Sequence, residues 1–406
     1  MRVLLVHQNY PGQFLHLERA LEARGHDVLA LTDDANTRPI RARHARYRFS
    51  DPKPRGLGAT FRRHAARGVA AAETAEALRR RHGYVPDVIF GHPGWGETLF
   101  LRDVWPGARL LTYAELCYRS TGLDADFDPE FQDMGLHARM SVTSRRAHLI
   151  QALADSDAAV APTAWQADSF PASLRHLVSV IHDGIDTDRI VPDPQARFAL
   201  PGGGGELCAG DEVLTYVARN LEPYRGIHVF MRALPEVLRA RPGAQVVIVG
   251  GEGVSYGRTP PEGAESWKAY MLAELGDRLD LSRVHFTGKL PYDAYRRLLQ
   301  VSRVHAYLTY PFVLSWSALE AMSAGVHVVA SRTGPVEEVI ADGRNGTLLD
   351  FFDVEGWSRA LSDTLAAPEA AAPLRRAARD TVVQGYDLRR VCLPRMVTFT
   401  ETAGRG

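Results

Sequence analysis

The sequence predicts an α/β protein of two doubly wound domains, each with a parallel β-sheet covered by helices on both faces. The chain has 406 residues, more than one ordinary core organises, so two domains of roughly 150–200 residues each are expected. Short β-branched runs alternate with amphipathic segments throughout. These runs are apolar on both faces, which is typical of parallel strands packed between helices. A cleft is expected between the carboxyl edges of the two sheets.

The predicted strands fall into two series. The first series is Val3–His7, Asp27–Leu31, Asp87–Phe90, Arg109–Tyr113, Ala158–Pro162 and Val178–His182. The second series is Val213–Arg219, Gln245–Gly250, Val284–Thr287, Val304–Tyr310, Val326–Ser331 and Gly346–Leu349. The segments between strands are predicted to be helices. In GQFLHLERALEARG, for example, Phe14, Leu17 and Leu21 form one apolar stripe, and Gly25 suits the helix end.

Turn-forming residues predict where the domains divide. Asp183-Gly184 is a turn signal and our candidate hinge, and the Gly-rich run Pro201–Gly205 is predicted to be a flexible segment. We therefore predict domains at residues 1–190 and 191–385.

Composition excludes several classes of function. Lys+Arg and Asp+Glu both number 48, so no net charge favours a nucleic-acid partner. The three cysteines are scattered without disulfide or metal-ligand spacing, which indicates a reducing, cytoplasmic location. Asp-x-Asp triplets resemble a metal-binding motif, but none of them lies in surroundings typical of a metal site. No metal ligand is predicted. No apolar run approaches a membrane-spanning length.

Residues 38–68 are unusually basic. Ten of them are Arg or Lys, and one, Asp51, is acidic. One interpretation is a solvated, mobile loop-helix surface. The other is an acceptor-side patch that contacts an anionic molecule or a membrane face.

The stretch TYPFVLSWSALEAMSAG leads from a strand into a helix that carries Glu320. Ser317 and Glu320 fit a capping box, in which each side chain bonds the backbone of the other. The same helix start also suits an anion site, with free amides at Leu314, Ser315 and Trp316. Glu320 would then accept hydrogen bonds from a ribose diol. The two interpretations are compatible.

The stretch ARNLEPYRG places Arg219 and Arg225 on either side of a Pro-containing loop at another strand end. Either arginine alone is explained as surface charge. Together they fit a pair of guanidinium clamps on a diphosphate.

These motifs carry a resemblance. ARNLEPYRG, VVIVGGEG, VHFTGKL and SALEAMSAGVHVVASRTGPVEEVIADGRNGTLLD resemble the donor-binding half of the family 4 glycosyltransferases, which have the GT-B fold. VLLVHQNYPGQF, LEARGHDVLALT, DVIFGHP and VIHDGIDTDR resemble the acceptor half of that family. The segment 386–406 is similar to the helix with which GT-B chains cross back to the first domain. The resemblance implies two Rossmann-like domains facing a cleft.

The resemblance assigns roles to individual residues. Arg219 and Arg225 correspond to the basic pair that holds the leaving diphosphate, and Glu320 to the ribose-binding carboxylate. Gly12 corresponds to the glycine that approaches the phosphate. Gly288 and Leu290 belong to the loop that contacts the base.

Two positions depart from the family pattern. Phe312 stands eight residues before Glu320, where the family has a carboxylate that holds donor-sugar hydroxyls. Ala114 stands where the family has an active-site histidine, with Glu115 beside it. We hypothesise that Glu115, with Tyr118 and Arg119, takes over sugar or acceptor contacts. His92 matches a histidine that the family has in the preceding strand loop, and it is the second candidate catalytic residue.

The resemblance implies a retaining, metal-independent glycosyltransferase. Its co-substrate would be a nucleoside diphosphate sugar, with no cofactor, and its acceptor a hydroxyl group on a molecule that is anionic in one interpretation. Two alternatives stay open: a nucleotide-sugar epimerase or hydrolase on the same fold, and an inactive nucleotide-sugar-binding partner. The donor base, the sugar and the acceptor are also open at this stage.

Overall fold

The computed structural model describes residues 1–132 and 134–404. The chain divides into two compact units: Met1–Gly184 with Leu388–Gly406, and Ile185–Asp387. The sequence placed the division after residue 190. The last two residues of the predicted terminal segment 386–406 lie outside the described residues.

Fifteen strands and fourteen α-helices are described. The strands are β1 (Arg2–Val6), β2 (Asp27–Asp33), β3 (Arg43–Tyr47), β4 (Val88–Gly91), β5 (Arg109–Tyr113), β6 (Ala158–Ala161), β7 (Val178–Val180), β8 (Arg197–Ala199), β9 (Glu206–Cys208), β10 (Val213–Asn220), β11 (Gln245–Gly251), β12 (Val284–Gly288), β13 (Val304–Tyr307), β14 (His327–Ser331) and β15 (Thr347–Leu349). The helices are α1 (Leu15–Ala23), α2 (Ala59–His82), α3 (Leu101–Val104), α4 (Leu136–Arg145), α5 (Ala147–Ala154), α6 (Ala164–Asp168), α7 (Ile227–Ala240), α8 (Trp267–Leu275), α9 (Tyr292–Val301), α10 (Trp316–Ser323), α11 (Gly334–Glu337), α12 (Val354–Ala366), α13 (Ala372–Gly385) and α14 (Leu393–Thr402).

The first unit is built on a seven-stranded parallel sheet in the order β3-β2-β1-β4-β5-β6-β7. Alternate side chains of β1 enter two different cores. Val3 and Leu5 pack with residues of α1 and α14, whereas Leu4 and Val6 pack with residues of α2. Because strand side chains alternate between faces, this apolar run needs helices on both sides of the sheet.

The basic segment 38–68 is more ordered than the prediction of a mobile loop-helix surface. Its residues 43–47 form the edge strand β3, which pairs in parallel with β2. Tyr47 is buried, while the other four side chains of β3 are exposed or half-buried. A strand with one apolar anchor has little of the alternating pattern that reveals strands in a sequence, and this strand was missed.

The second unit is built on a six-stranded parallel sheet in the order β12-β11-β10-β13-β14-β15, with a separate antiparallel hairpin of β8 and β9. Pro201–Gly205, predicted to be a flexible segment, lies in the loop of that hairpin, and its flexibility stays a prediction. The amide of Leu200 donates to the carbonyl of Gly205 at 2.9 Å. Phe198 and Leu207 are buried against the sheet.

The prediction of two parallel, doubly wound sheets is confirmed. The C-terminal helix α14 belongs to the first unit, where Phe399 lies 5.8 Å from the ring of Phe90. Within the described residues, we find no helix long and apolar enough to span a bilayer.

Candidate active site

The first unit gathers polar side chains at the carboxyl edge of its sheet. His7 directly follows β1, His92 follows β4, and Glu115 lies two residues beyond β5. These three strands are neighbours in the sheet. Because the carboxyl ends of parallel strands share one edge, the three side chains lie together, where α/β folds usually bind ligands.

Glu115 is held by two side chains. Gln13 donates from Nε2 to Glu115 Oε1 at 3.2 Å, and His92 Nε2 lies 3.5 Å from Glu115 Oε2. The latter distance is an ion-pair separation and is too long for a good hydrogen bond. The amide of Gly94 donates to His92 Nδ1 at 3.0 Å, so the proton of a neutral His92 lies on Nε2, facing the carboxylate.

His7 fixes the amide of Gln13. The backbone amide of Asn9 donates to His7 Nδ1 at 2.9 Å, and His7 Nε2 lies 3.0 Å from Gln13 Oε1. Burial, reinforced by the charge of His92, lowers the pKa of His7 well below its usual value. His7 is therefore neutral near pH 7 and donates through Nε2. Gln13 must then present its NH2 group to Glu115.

Gly12 allows this arrangement. Its φ is +49°, and a Cβ at this position would lie 2.5 Å from Nε2 of His7. Any other residue would displace the histidine ring or the loop. The role in phosphate binding implied for Gly12 stays a prediction.

The two residues proposed to assist Glu115 are engaged elsewhere. The guanidinium of Arg119 donates to the carbonyls of Asp168 and Ser169. Arg145 lies over the ring of Tyr118, 4.3 Å from its centroid. Ala114, which replaces the family's histidine, is fully buried in a core cluster. Gln13 and His92 are the neighbours that orient Glu115, and sequence reasoning missed Gln13 although it adjoins Gly12.

In the second unit, a buried guanidinium lies near the carboxyl ends of β10 and β13. Arg225 is 7% exposed. Its Nη1 donates to Thr309 Oγ1 at 2.8 Å and to the carbonyl of Val313 at 3.0 Å, and it lies 3.4 Å from Tyr307 Oη. These acceptors are neutral. Among the described residues, no carboxylate forms an ion pair with Arg225, so its charge is left for an external anion.

Arg219 occupies a different environment from Arg225. It lies on β10 one residue before the strand ends, and its side chain is exposed. In the part of the chain that the structure describes, it makes no hydrogen bond or ion pair. The two arginines thus belong to the same strand-loop segment, but only Arg225 is fixed by the protein.

The start of α10 differs from the predicted capping box. The N-cap is Ser315, whose hydroxyl accepts from the amide of Ser317 at 3.4 Å. The Ser315 amide, predicted to be free, donates to Tyr307 Oη at 2.8 Å. Tyr307 Oη is therefore shared by the helix start and Arg225 Nη1. The start of α10 and the guanidinium of Arg225 therefore lie close together.

Glu320 does not reach back to Ser317, so the capping-box prediction was wrong. Its Oε1 accepts from the hydroxyl of Tyr292 at 2.9 Å and its Oε2 from that of Tyr295 at 2.7 Å. Burial raises the pKa of Glu320, and the two phenols partly oppose that rise. Both tyrosines belong to α9, and no sequence pattern indicates that they face α10. Each carboxylate oxygen keeps a lone pair for a ribose hydroxyl.

The remaining predicted donor-binding residues lie around this edge of the second sheet. Gly288 ends β12 with φ of +65°, and Leu290, two residues on, packs in part against a core cluster. Leu314 is buried, whereas Trp316 is 44% exposed at the first position of α10. Their predicted contacts with a nucleotide stay predictions.

Phe312, at the position of the family's sugar-binding carboxylate, is 3% exposed. Its ring lies 4.9 Å from that of Tyr256 and 5.4 Å from that of Tyr224. The guanidinium carbon of Arg225 lies 5.6 Å from the ring centroids of both Phe312 and Tyr256. An aromatic wall beside the cation takes the place of a second carboxylate.

Glu222 is a functional candidate that sequence reasoning missed. It is fully buried, and its carboxylate accepts from the amides of Ser255, Tyr256 and Gly257 at 2.9–3.3 Å. Three successive amides around one carboxylate form an anion-binding nest. This bond fixes the loop that places Tyr256 beside Arg225. The sequence does contain an indication of its importance: an acidic residue lies between two arginines that are predicted to bind a diphosphate.

Within the described residues, no group of three or more His, Cys, Asp or Glu side chains is arranged to hold a metal ion. The prediction of a reaction without metal or cofactor stays a prediction.

Comparison with known proteins identifies the family. The family described as "Glycosyl transferase family 4 group" matches residues 24–190, and "Glycosyl transferases group 1" matches residues 206–381. The chain is 32% identical, over 54% of its length, to 54% of the GDP-mannose-dependent alpha-(1-6)-phosphatidylinositol monomannoside mannosyltransferase of Mycolicibacterium smegmatis. It is 31% identical, over 50% of its length, to 44% of the D-inositol 3-phosphate glycosyltransferase of Mycobacterium avium. The alignments thus span about half the length of these relatives.

Solved structures show the same fold at low sequence identity. Sucrose-phosphate synthase from Thermosynechococcus elongatus matches with a TM-score of 0.72 and 18% identity, over 99% of this chain and 98% of that one. HepE of Anabaena, solved in complex with UDP-glucose, matches with a TM-score of 0.68 and 16% identity, over 99% of each chain. The chain belongs to the family 4 glycosyltransferases and has the GT-B fold.

Proposed function

We propose that the protein is a retaining glycosyltransferase that moves a sugar from a nucleoside diphosphate sugar to an acceptor hydroxyl. The observation that carries this proposal is Arg225. It is a buried guanidinium at the carboxyl edge of a parallel sheet, bonded to neutral acceptors and unpaired with any carboxylate of the described chain. A buried charge without a counter-ion is costly, and a diphosphate would supply the missing negative charge.

Glu320 provides the second part of the donor site. It lies one helical turn into α10, whose start shares Tyr307 with Arg225. A carboxylate oriented by two phenols suits the two hydroxyls of a ribose, which donate hydrogen bonds. A cation for the diphosphate and an anion for the ribose would together recognise a nucleoside diphosphate.

The leaving diphosphate also takes part in the proposed reaction. The bond from the sugar C1 to the phosphate oxygen breaks while a bond from C1 to the acceptor oxygen forms on the same face. The acceptor's proton passes to the departing phosphate oxygen. Arg225 stabilises the charge that develops on the diphosphate, a contribution of about 2–4 kcal/mol by analogy with oxyanion donors.

Glu115 and His92 are the proposed catalytic residues of the first unit. Glu115 is one-third exposed and oriented by Gln13, so an acceptor hydroxyl can reach its carboxylate from solvent. His92 presents an N–H toward the same carboxylate. The pair can orient a hydroxyl and bind a sugar group, and metal independence is part of the proposal.

The acceptor is proposed to be anionic or presented at an anionic membrane face. The names of the two relatives include phosphatidylinositol and inositol 3-phosphate. Leu57 and Phe61, at the start of α2, are 57% and 37% exposed, and Leu136 and Met140 of α4 are 62% and 37% exposed. We call these four side chains the apolar surface. α4 has no buried residue, and its Ser144 Oγ lies 3.8 Å from a Cβ built on Gly58, which precedes α2.

Charges beside the apolar surface agree with an anionic partner. Lys53, Arg55 and Arg62 are exposed or half-buried and have no acidic partner among the described residues. Several other arginines of segment 38–68 pair with acids, including Arg41 with Glu22. Exposed apolar side chains next to unpaired cations are typical of surfaces that bind anionic lipid headgroups.

We include a cytoplasmic location in the proposal. Cys117, Cys208 and Cys392 are free thiols, as expected in a reducing compartment.

Thermal unfolding with a panel of nucleoside diphosphates and their sugars, including deoxysugars and pentoses, tests the donor site. We expect at least one nucleoside diphosphate to raise the Tm, because a ligand at 100 times its Kd adds about 2.7 kcal/mol to folded-state stability. Arg225→Ala should abolish this shift. The matched control is Arg232→Ala, which removes a guanidinium of α7 that pairs with Glu274 of α8.

The same nucleoside diphosphate sugars then distinguish a transferase from the alternative functions. Sugar transfer requires an added acceptor, whereas a hydrolase or epimerase converts the donor alone. An inactive binding partner would show the Tm shift without either reaction. A wild-type protein whose Tm responds to no nucleoside diphosphate would contradict the proposal.

Vesicle sedimentation tests the acceptor surface. Vesicles with an anionic phospholipid should bind the protein, and neutral phosphatidylcholine vesicles should not. The double variant Leu57→Ser, Phe61→Ser should weaken binding, while Val254→Ser, an exposed apolar residue of the second unit, should not. Equal sedimentation with both vesicle types would remove the membrane part of the proposal.

A further inference from the structure

Gly94 connects the candidate catalytic histidine to a second layer of histidines. Its amide donates to His92 Nδ1 at 3.0 Å, and its carbonyl lies 3.2 Å from Nε2 of His148. His148 belongs to α5 and is 1% exposed. Both peptide groups of Gly94 are therefore bonded to imidazole rings, and a movement of His148 would be passed to His92.

The protonation of the second layer is determined by its contacts. Burial lowers the pKa of His148 to about 4, so the ring is neutral near pH 7. Carbonyls accept hydrogen bonds, and those of Gly94 and Arg145 both interact with the ring, the Gly94 carbonyl at Nε2. A proton on Nε2 gives the Gly94 carbonyl its hydrogen bond. His64 Nδ1 lies 3.3 Å from His148 Nδ1. When the proton of His148 lies on Nε2, His64, whose pKa burial lowers to about 3, is the donor in this contact.

The turn that contains Gly94 also packs tightly against α2. A Cβ on Gly68 of α2 would lie 2.7 Å from the carbonyl oxygen of Gly96. A Cβ on Gly96, whose φ is +100°, would lie 2.2 Å from the carbonyl oxygen of His64. Backbone contacts of this kind leave no flexible side chain to absorb a displacement. The position of the turn is thus set by α2 and α5.

We propose that His148 is a positioning residue, which fixes the orientation and tautomer of His92 through Gly94. The importance of this chain for catalysis rests on the function proposed above for His92 and Glu115. A purely apolar residue would fill the site of His148 without the cost of burying an imidazole. The hydrogen bond to the Gly94 carbonyl is the reason for a histidine here.

Three substitutions of His148 test the proposal. His148→Leu and His148→Phe remove the hydrogen-bonding N–H, the first with a smaller side chain and the second with one of similar size. His148→Gln keeps an N–H close to the position of Nε2. The Leu and Phe variants should lower kcat about 10- to 100-fold, because small displacements of catalytic groups have effects of this size. The KM for the nucleoside diphosphate sugar should stay unchanged, because these variants do not alter the residues proposed to bind it. His148→Gln should restore most of kcat.

The matched control is His327→Gln. His327 is a buried histidine of the second unit with a pKa lowered to about 4 and one hydrogen bond, 3.0 Å long, to Thr347. This variant should leave kcat unchanged. Thermal unfolding of each variant without ligand verifies that it is folded.

A readout independent of activity is the tautomer of His92 in 15N-histidine-labelled protein. Wild type should show a proton on Nε2 alone, and the Leu and Phe variants a mixture of tautomers. An unchanged His92 tautomer together with unchanged kcat in a folded donor-removing variant would overturn the inference. A redistributed tautomer with normal kcat would support the inference and count against the catalytic role proposed for His92.

Discussion

The carboxylate of Glu115 has one oxygen bonded to Gln13 and the other facing His92. We predict that Glu115→Gln lowers turnover about 100-fold or more, as expected on losing the charged group that orients the acceptor hydroxyl or binds the sugar. Glutamine keeps the shape of the side chain but removes its charge. Initial rates at saturating donor and acceptor measure the effect.

The matched control for Glu115 is Glu73→Gln, an exposed glutamate of α2 in the same unit. Its rate should equal that of wild type. Near-normal turnover of Glu115→Gln would remove Glu115 from the mechanism while leaving the donor site unaffected.

Tyr295 donates to Glu320 with the shorter of the two phenol bonds. We predict that Tyr295→Phe weakens nucleoside diphosphate binding about 10-fold, since a hydrogen bond to a charged group contributes about 1.5–3 kcal/mol. Without this phenol, the pKa of the buried Glu320 rises further and its charged form becomes rarer. Isothermal titration calorimetry at several pH values measures the change.

Tyr84→Phe is the control for this prediction. Its buried hydroxyl, in the first unit, has no hydrogen-bond partner within the described residues. Equal affinities of the Tyr295 and Tyr84 variants for the nucleoside diphosphate would show that Glu320 takes no part in donor binding.

Three successive amides of the loop between β11 and α8 bond to one side chain from another loop. Glu222 holds the amides of Ser255, Tyr256 and Gly257. We predict that Glu222→Ala lowers the stability of the second unit by about 1–3 kcal/mol, the cost of leaving buried donors unsatisfied. Hydrogen exchange of residues 254–258 should accelerate, because the loop loses its anchor.

Glu252→Gln is the matched control in the same loop, since Glu252 is exposed and pairs with Lys268. Its hydrogen exchange should resemble wild type. Slow exchange at residues 254–258 in Glu222→Ala would contradict the prediction.

Elements with a strong hydrophobic pattern were predicted well from the sequence. Every strand of both predicted series is present, and Arg109–Tyr113 was predicted with its observed bounds. The strands that were missed, β3, β8 and β9, lie outside the continuous apolar runs. β3 has four exposed or half-buried side chains, and β8 and β9 stabilise each other as a hairpin. Their stability comes from partners distant from the local pattern.

The candidate site was predictable only where a motif fixes the backbone. Arg225 and Glu320 each follow a strand of the same sheet, as their motifs predicted, and their donor-binding roles stay predictions. The partners of Glu320 were not predictable, since Tyr292 and Tyr295 reach it from another helix. The hydrogen bonds that connect His148 to His92 through Gly94 depend on contacts between α2, α5 and the turn after β4. Contacts of this kind leave no periodic trace in a sequence.

At the scale of the whole molecule, buried histidines predict sensitivity to acid. Burial lowers the pKa to about 4 for His148, His182 and His327, and to about 3 for His64 and His305. Below pH 6.5, the unfolded chain binds protons that the folded chain does not. Each such histidine then lowers the free energy of unfolding by about 1.4 kcal/mol per pH unit.

We therefore predict that both units lose stability as the pH falls from 6.5 toward 4. Glu97 and Glu320 oppose the trend in part, because burial raises their pKa values. Urea unfolding at a series of pH values measures the slope, and His305→Gln should reduce it for the second unit. A free energy of unfolding that stays constant between pH 6.5 and 5 would contradict the prediction.

The discontinuity of the first unit has a consequence for synthesis on the ribosome. Its core includes Phe399 of α14, which packs against Phe90 but is made only after the whole of Ile185–Asp387. At about 5–20 residues per second, the nascent chain waits on the order of 10–40 s between the two parts. When that interval ends, the second unit has its complete sequence, whereas the first still lacks α14. Chaperones that shield Phe90 would thus act longest on the half of the protein that emerges first.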